Sequence, residues 1–303
     1  MAPAAPPSGY WQLSLTTAAD TAEGLVNLMW ELGALGVIEE EERGRPPRLR
    51  AFFAGTASPE ALDARVREYT DGLRALGFSR AAGPTVSALD DEGWADAWRC
   101  HFRPVAVGRA LLVVPPWEEG PANGRTVLTI EPGRAFGTGH HGSTAGCLEA
   151  LESIMTRADA PRRVLDLGTG SGILAIAAAR LGAPAVLAVD DDPDAVALAL
   201  ANVARNHVAE RVRCVLGDAL DLQVPPVELV MANLLTAAHL RLAPRAARYL
   251  VPGGTVVAGG ILDAERFAVR SAFETHGFEQ RATVSRDGWT TLELRCAPLR
   301  DRA

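Results

Sequence analysis

The sequence has no surplus of positive charge, because 30 Lys and Arg residues stand against 37 Asp and Glu residues in a chain of 303. A protein that binds nucleic acid through its phosphates needs a basic patch. The formal net charge of −7 therefore gives no support for direct nucleic-acid binding, and none is expected. An acidic surface is compatible with a basic protein partner, although it is a common property of soluble proteins.

Cysteine is scarce and widely spaced. The chain has four cysteines and no Cys-x-x-Cys pair: Cys100, Cys147, Cys214 and Cys296. This spacing is unlike that of a disulfide framework or a zinc site. We expect reduced thiols and no bound metal.

Two kinds of targeting segment are also missing. The first seven residues have neither a charged region nor an apolar core, so they do not resemble a signal peptide. No uncharged apolar run is long enough to span a bilayer, and the longest candidate is interrupted by Arg180. We expect a cytoplasmic protein with no membrane partner.

The glycine-rich segment at residues 164–172 lacks the spacing of a dinucleotide-binding turn. That fingerprint, G-x-G-x-x-G, requires glycine where the chain has Ile173. Instead, an apolar strand ends on Asp166 and an Ala-rich helix follows. Three glycines lie between them at alternate positions: Gly168, Gly170 and Gly172. Such a turn allows the backbone to approach a nucleotide-like ligand closely, although the motif alone is also compatible with a turn that binds nothing.

From residue 163 onward, predicted strands and helices alternate with short connections. The strands are 164–167, 185–189, 212–216, 229–232 and 255–259, and the helices are 172–181, 193–206 and 235–250. This order predicts an α/β fold with a doubly wound, mostly parallel sheet. The segment Phe278–Cys296, with a turn at 287–288, predicts an antiparallel hairpin added to one edge.

The first 89 residues predict a separate, smaller α+β domain. Strands at 10–16, 33–39, 49–53 and 85–89 and helices at 18–32 and 58–76 give the β-α-β-β-α-β order of a ferredoxin-like module. Trp94 and Trp98 lie four residues apart in a predicted linker helix. We therefore expect a domain at 1–89, a linker helix at 90–103 and a second domain at 104–303.

Acidic residues follow two of the parallel strands. Asp190 comes 22 residues after Gly168, where a carboxylate can accept hydrogen bonds from both hydroxyls of a ribose. Its neighbour Asp192 precedes Pro193 and is typical of a helix N-cap. Asp218 stands where it could bind an adenine amino group, but it is equally typical of a turn.

Asn233 follows the strand at 229–232. Its amide oxygen, together with nearby backbone carbonyls, can accept hydrogen bonds from an amine and direct the nitrogen lone pair toward a methyl group. An Asn that caps the next helix is the alternative. The two residues that follow, Leu234 and Leu235, argue against a flat substrate, which is usually stacked on a proline-rich aromatic sequence.

A loop of glycines and hydroxyls at residues 136–144, Phe-Gly-Thr-Gly-His-His-Gly-Ser-Thr, precedes a helix predicted from about residue 145. Its composition suits an anionic carboxylate such as that of methionine. His140 and His141 suggest a metal, but no acidic or Cys partners stand at ligand spacing. A histidine general base is possible and not required.

Together these segments resemble the PrmA family, which methylates ribosomal protein L11. The resemblance spans nearly the whole chain and is carried by residues 131–151, the glycine turn, Asp190 and residues 232–235, with Trp94–Trp98 and residues 251–254 also matching. It implies that S-adenosylmethionine is the cofactor and that methyl groups go to lysine ε-amines and an N-terminal α-amine. It also implies that the N-terminal domain binds the ribosomal protein.

The resemblance and the motifs give one expected site. Asn233 is the expected catalytic residue. The expected cofactor-binding residues are Phe136, Gly137, Thr138, Thr144, Asp166, Gly168, Gly170, Gly172, Asp190, Asp218 and Asn233. The family commonly has Thr-His-Pro-Thr-Thr where this chain has residues 140–144, which puts the order of that loop in doubt. The alternatives are an enzyme of the same family with another protein substrate, a small-molecule or RNA methyltransferase, and a non-enzymatic nucleotide-binding module.

Overall fold

The computed structural model describes residues 10–40, 46–75, 77–79, 81–89, 103–118, 122–131 and 141–297. The chain divides into two compact units, Met1–Arg103 and Pro104–Ala303. Nearly all of the predicted linker helix and the predicted site residues Phe136, Gly137 and Thr138 lie outside the described residues.

The first unit contains four strands and two helices among its described residues. They are β1 (Tyr10–Thr16), α1 (Ala19–Glu31), β2 (Gly36–Glu40), β3 (Arg48–Ala54), α2 (Pro59–Ala75) and β4 (Thr85–Leu89). The strands form an antiparallel sheet in the order β2-β3-β1-β4. The strand predicted from residue 33 begins at Gly36, because Gly33 adopts a left-handed conformation (φ 89°) at the end of α1.

The second unit begins with a small sheet that precedes a helix. Its elements are β5 (Val105–Val107), β6 (Leu111–Val114), β7 (Thr126–Thr129) and α3 (Gly142–Met155). Glu152 on α3 accepts hydrogen bonds from the backbone amides of Arg109 and Ala110, at 3.0 and 3.1 Å. This carboxylate fixes the turn between β5 and β6 against the helix.

The large sheet contains the remaining seven strands. They are β8 (Arg163–Leu167), β9 (Ala185–Asp190), β10 (Val212–Leu216), β11 (Val227–Asn233), β12 (Leu250–Leu262), β13 (Phe278–Arg286) and β14 (Trp289–Cys296). The helices between them are α4 (Ile173–Arg180), α5 (Pro193–Arg205), α6 (Thr236–Leu242) and α7 (Arg266–Thr275). The prediction of a mostly parallel sheet with an antiparallel edge hairpin is confirmed.

The strand order β10-β9-β8-β11-β12-β14-β13 locates the site. The chain runs outward from β8 to β10, then returns to the other side of β8 with β11. In open α/β sheets, ligands bind at the carboxyl ends of the strands where the order reverses in this way. The crevice therefore lies beyond the ends of β8 and β11. Two apolar clusters cover the sheet, one containing Val164 and the buried helix α4, the other containing Leu165 and Phe273.

The predicted single helix at 235–250 is wrong. Helix α6 ends at Leu242, and a 3₁₀ turn (Ala246–Tyr249) leads directly into β12. Pro244 explains the break, because it has no amide to donate within a helix. Helix α7 was missed, since only Val269 and Phe273 are buried along a largely polar segment.

Among the residues that the structure describes, no helix is both long and apolar enough to cross a membrane.

Candidate functional site

The glycine loop after β8 is held against the end of β9. The amides of Gly168 and Thr169 both donate to the carbonyl of Val189, at 2.9 and 3.0 Å. Gly168 has a φ of 68°, and a Cβ placed on it would lie 2.5 Å from Leu234 Cδ2. Its backbone conformation therefore favours glycine, and a side chain there would also have to displace the Leu234 side chain.

Asp166 lies beneath this loop and has no exposed surface. Its Oδ2 accepts a hydrogen bond of 2.6 Å from the Thr169 hydroxyl, and its Oδ1 has no partner among the described residues. Burial raises the pKa of the Asp166 carboxyl to about 7. The structure thus places this predicted cofactor residue inside the loop, where its contact is with Thr169.

The Asp166→Asn variant is expected to be more stable than wild type at pH 8, with a melting temperature higher by about 5 °C. The pKa of about 7 in the folded state lies above the ordinary aspartate value of 3.8, so the folded state retains a proton that the unfolded chain releases between these two pH values. Wild-type stability therefore falls as pH rises through this window, and asparagine removes that dependence. Melting curves at pH 5 and pH 8 measure it.

Asp191→Asn is the matched control, because Asp191 is exposed and its substitution changes the net charge equally. Equal pH dependence in wild type and Asp166→Asn would contradict the assigned pKa.

Asp190 joins the glycine loop to the end of β9. Its Oδ2 accepts from the amide of Gly170 at 2.8 Å, and its Oδ1 accepts from the amide of Asp192 at 3.1 Å. Each carboxylate oxygen has two lone pairs, so both oxygens keep accepting capacity. Asp192 is the N-cap of α5 and accepts from the amide of Asp194 at 2.9 Å, which confirms that part of the prediction.

Asp218 lies just beyond the end of β10, on the surface. Its Oδ1 accepts from the amide of Leu220 at 2.8 Å, which is the turn role that the sequence left open. The preceding residue, Gly217, donates its amide to the carbonyl of Asp190 at 2.8 Å. Asp190 and Asp218 therefore lie at the carboxyl ends of the adjacent strands β9 and β10.

Asn233 ends β11, and the structure excludes the helix-cap alternative. The N-cap of α6 is Leu235, which makes no side-chain capping bond. The Asn233 Nδ2 donates instead to the Oγ1 of the fully buried Thr144, at 3.3 Å. Its Oδ1 is buried and has no partner among the described residues. Buried acceptors are nearly always satisfied, so this oxygen indicates a missing donor.

A glycine bulge in β12 lies against Asn233. The register of β12 with β14 shifts between Ala258 and Ile261, and Gly260 has a φ of 73°. A Cβ placed on Gly260 would lie 2.6 Å from Leu234 O and 3.0 Å from Asn233 Oδ1. Both acceptors therefore lie close together on the side of Gly260 where a side chain would stand. Sequence reasoning missed the bulge, although two glycines within a strand pattern are a recognised signal for one.

Asn202 is a second site residue that sequence reasoning missed. It is fully buried on α5, where its Nδ2 donates to Ser171 O at 2.9 Å and its Oδ1 accepts from Glu131 N at 3.0 Å. It thus joins the glycine loop to the residue that precedes segment 132–140. The available signal was a polar residue on the same helix face as Ala195 and Ala199.

His141 has a structural contact at the start of α3. As the N-cap it accepts from the amide of Ser143, and its ring meets that of Trp289 edge-on with centroids 4.7 Å apart. In the part of the chain that the structure describes, no three His, Cys, Asp or Glu side chains are grouped for metal binding.

Comparison with known proteins identifies the family. The model of "Ribosomal protein L11 methyltransferase (PrmA)" matches residues 9–296. The chain belongs to this family. A ribosomal protein L11 methyltransferase from Trichlorobacter lovleyi is 35% identical over 308 residues, covering 95% of this chain and 99% of the relative. One from Symbiobacterium thermophilum is 39% identical over 302 residues, covering 93% and 98%.

A solved structure is also similar to this PrmA family member. The crystal structure of ribosomal protein L11 methylase from Lactobacillus delbrueckii subsp. bulgaricus matches with a TM-score of 0.60 and 29% identity. The match covers 65% of this chain and 100% of that one. The large α/β sheet is therefore a methyltransferase fold, and the methyl donor is S-adenosylmethionine.

Proposed function

We propose that this chain transfers methyl groups from S-adenosylmethionine to lysine ε-amines of ribosomal protein L11, and to its N-terminal α-amine. The observation that carries the proposal is the buried Oδ1 of Asn233, which has no partner among the described residues and lies with the carbonyl of Leu234 beside Gly260. We assign the space beside these two oxygens, the amine volume, to the substrate nitrogen. Two acceptors in this position suit an amine donor. The names of the full-length relatives support L11 as the protein that carries it.

The residues around the crevice fit the cofactor. Asp190 has lone pairs available for the two ribose hydroxyls, and the glycine loop brings backbone close to the ligand without side chains in the way. Asp218 accepts from the adenine amino group. Thr144 accepts a hydrogen bond from the side-chain amide of Asn233. We also assign Phe136, Gly137 and Thr138, which belong to segment 132–140, to cofactor binding.

The reaction requires a neutral amine in line with the methyl group. When bound, S-adenosylmethionine supplies a methyl group on a positively charged sulfur, so the protein needs no covalent nucleophile. Removing a proton from a free lysine at pH 7 costs about 4–5 kcal/mol, because its pKa is about 10.4. Burial near a cation lowers that pKa. Asn233 Oδ1 and Leu234 O then orient the amine, and no side chain is assigned as the base.

The N-terminal unit is assigned to substrate recognition. Its β-α-β-β-α-β order and its sheet order, β4-β1-β3-β2, support a ferredoxin-like module. In this proposal the module binds the protein substrate and the domain at 104–303 performs the transfer. We place the enzyme in the cytoplasm, where its substrate is made.

Purified L11 incubated with the enzyme and methyl-labelled S-adenosylmethionine tests the proposal. We expect label on L11, located on lysines and the N-terminus by peptide mass spectrometry, and an initial rate of labelling lower by about 10²–10³-fold with Asn233→Ala. A lysate and purified ribosomal RNA are parallel substrates. Label on another protein alone, or on RNA, would overturn L11 as the substrate.

The Gly260→Ala variant is expected to lower kcat by about 10²-fold, with little change in the affinity for S-adenosylmethionine. The new methyl group would occupy the volume beside Leu234 O and Asn233 Oδ1. Initial rates on L11 and calorimetric titration of the cofactor measure the two effects.

Gly277→Ala is the matched control for Gly260→Ala. Gly277 also has a positive φ, 85°, but a Cβ there would meet nothing within 4 Å. Equal losses of kcat in the two variants would attribute the effect to backbone strain and contradict the steric explanation.

A further inference from the structure

His239 is a fully buried residue that the proposed reaction does not use. It lies on α6, six residues after Asn233, and its Nε2 is 2.7 Å from the carbonyl oxygen of Gly259. A carbonyl only accepts, so Nε2 carries the proton and donates it. The same carbonyl accepts from the amide of Leu234 at 3.2 Å. The Gly259 carbonyl therefore accepts two hydrogen bonds, one from the imidazole of His239 and one from the amide of Leu234, which belongs to the amine site.

Burial of this imidazole is costly. The ring lies close to that of Phe273, at 6.4 Å between centroids, and its Nδ1 makes no hydrogen bond of good geometry among the described residues, although the backbone of Leu234 also interacts with the ring. Burial lowers the pKa of His239 to about 4, so the ring is neutral at physiological pH and keeps a single tautomer. An apolar side chain would fill the same space without burying polar ring nitrogens. An apolar residue could not, however, donate a hydrogen bond to the Gly259 carbonyl as His239 does.

The carbonyl of Gly259 belongs to the irregular part of β12, where the pairing with β14 is interrupted. Gly259 and Gly260 have no side chains, and the positive φ of Gly260 interrupts the regular pairing of β12 with β14. Gly259 is also the register partner of Asn233 in the parallel pairing with β11. A rotation of the Gly259 peptide would therefore displace Leu234 and Asn233, which border the amine volume.

We propose that His239 is a positioning residue for methyl transfer: its Nε2–H fixes the Gly259 carbonyl and so holds the Gly259–Gly260 bulge, Leu234 and Asn233 in the arrangement that receives the amine. This inference rests on the proposed function of that site. His239 touches neither substrate nor cofactor in this role. It acts through the backbone, chiefly through its hydrogen bond to the Gly259 carbonyl.

Two substitutions test this role. His239→Leu removes the donor, and His239→Gln restores an N–H at a similar distance along the side chain. We expect His239→Leu to lower kcat for L11 methylation by about 10²-fold, since a shift of about 1 Å in a reacting group has an effect of this size. The dissociation constant for S-adenosylmethionine should stay unchanged, and His239→Gln should recover most of the kcat.

His276 supplies a matched control. Its Nδ1 also bonds a backbone carbonyl, that of Ala272, at 2.7 Å, but on the exposed end of α7. His276→Leu should therefore leave kcat unchanged. If His239→Leu weakens cofactor binding as much as it lowers kcat, or if His239→Gln restores stability without restoring kcat, the positioning role is overturned.

Amide hydrogen exchange separates this inference from the proposed function, because it needs no substrate. Exchange of the Leu234 amide should accelerate at least about tenfold in His239→Leu and return toward the wild-type rate in His239→Gln. Unchanged exchange in His239→Leu overturns the role of His239. A wild-type enzyme that fails to methylate L11 while its Leu234 amide responds in this way overturns the proposed function alone.

Discussion

Replacing Asn233 with alanine is expected to lower kcat for L11 methylation by about 10²–10³-fold while changing the affinity for S-adenosylmethionine by less than about threefold. The variant removes the buried Oδ1, which has no partner among the described residues, and with it the group assigned to orient the amine. It also removes the bond to Thr144, a contact with a single neutral hydroxyl. Single-turnover rates with saturating cofactor give the chemical step directly.

Two companion variants sharpen this prediction. Thr144→Val removes the hydroxyl that accepts from Asn233 Nδ2 but leaves Oδ1 in place, so a smaller loss is expected. Asn233→Asp keeps an oxygen but adds a charge, which should favour the protonated amine and slow transfer. A wild-type kcat in Asn233→Ala, or a loss of rate that more cofactor repairs completely, would contradict the orienting role of Asn233.

The Asp190→Ala variant is expected to weaken S-adenosylmethionine binding by about 10²–10⁴-fold. Hydrogen bonds to a charged group contribute about 1.5–3 kcal/mol each, and the proposal gives Asp190 two of them with the ribose. The substitution also releases the amide of Gly170 from the carboxylate. Calorimetric titration measures the dissociation constant.

Asp192→Ala is the matched control for the ribose contact. Asp192 is an adjacent exposed carboxylate that caps α5, so its loss should reduce stability by about 1 kcal/mol and leave cofactor affinity unchanged. Asp190→Asn should fall between wild type and Asp190→Ala, because the amide keeps one acceptor. Equal cofactor affinity in wild type and Asp190→Ala would contradict the assignment of Asp190 to the ribose hydroxyls.

Local signals explain what could be predicted from the sequence. The cap formed by Asp192 and Pro193 depends on adjacent residues, and the glycine turn follows directly from its strand, so both were accessible to pattern reasoning. The alternation of elements also predicted the parallel sheet. The prediction of a single helix at 235–250 was wrong because the helical spacing of its apolar residues continues past Pro244, whereas a proline has no amide to donate within a helix.

The missed features depend on contacts between residues far apart in the sequence. His239 meets Gly259 across 20 residues, and Asn202 meets Ser171 across 31. A polar residue inside an apolar helix pattern is visible in the sequence, but the carbonyl that it bonds is not. The same holds for Asn233, since only the observed N-cap of α6 removed the capping alternative.

Gly168 illustrates how the structure sharpens a motif. Its position in the loop was predicted, and its positive φ agrees with that position. The side chain that a Cβ at this position would displace, however, belongs to Leu234, which follows a strand on the other side of β8. The glycine loop and the amine site are therefore in direct contact, a relationship that no local pattern contained.

The most direct test of the central claim is a crystal structure of the full chain with S-adenosylhomocysteine and a lysine peptide from L11. We expect the Asp190 carboxylate within about 3 Å of the two ribose hydroxyls, and the lysine nitrogen within about 3 Å of both Asn233 Oδ1 and Leu234 O. A ribose bound away from Asp190, or a lysine nitrogen that contacts neither oxygen, would contradict the account.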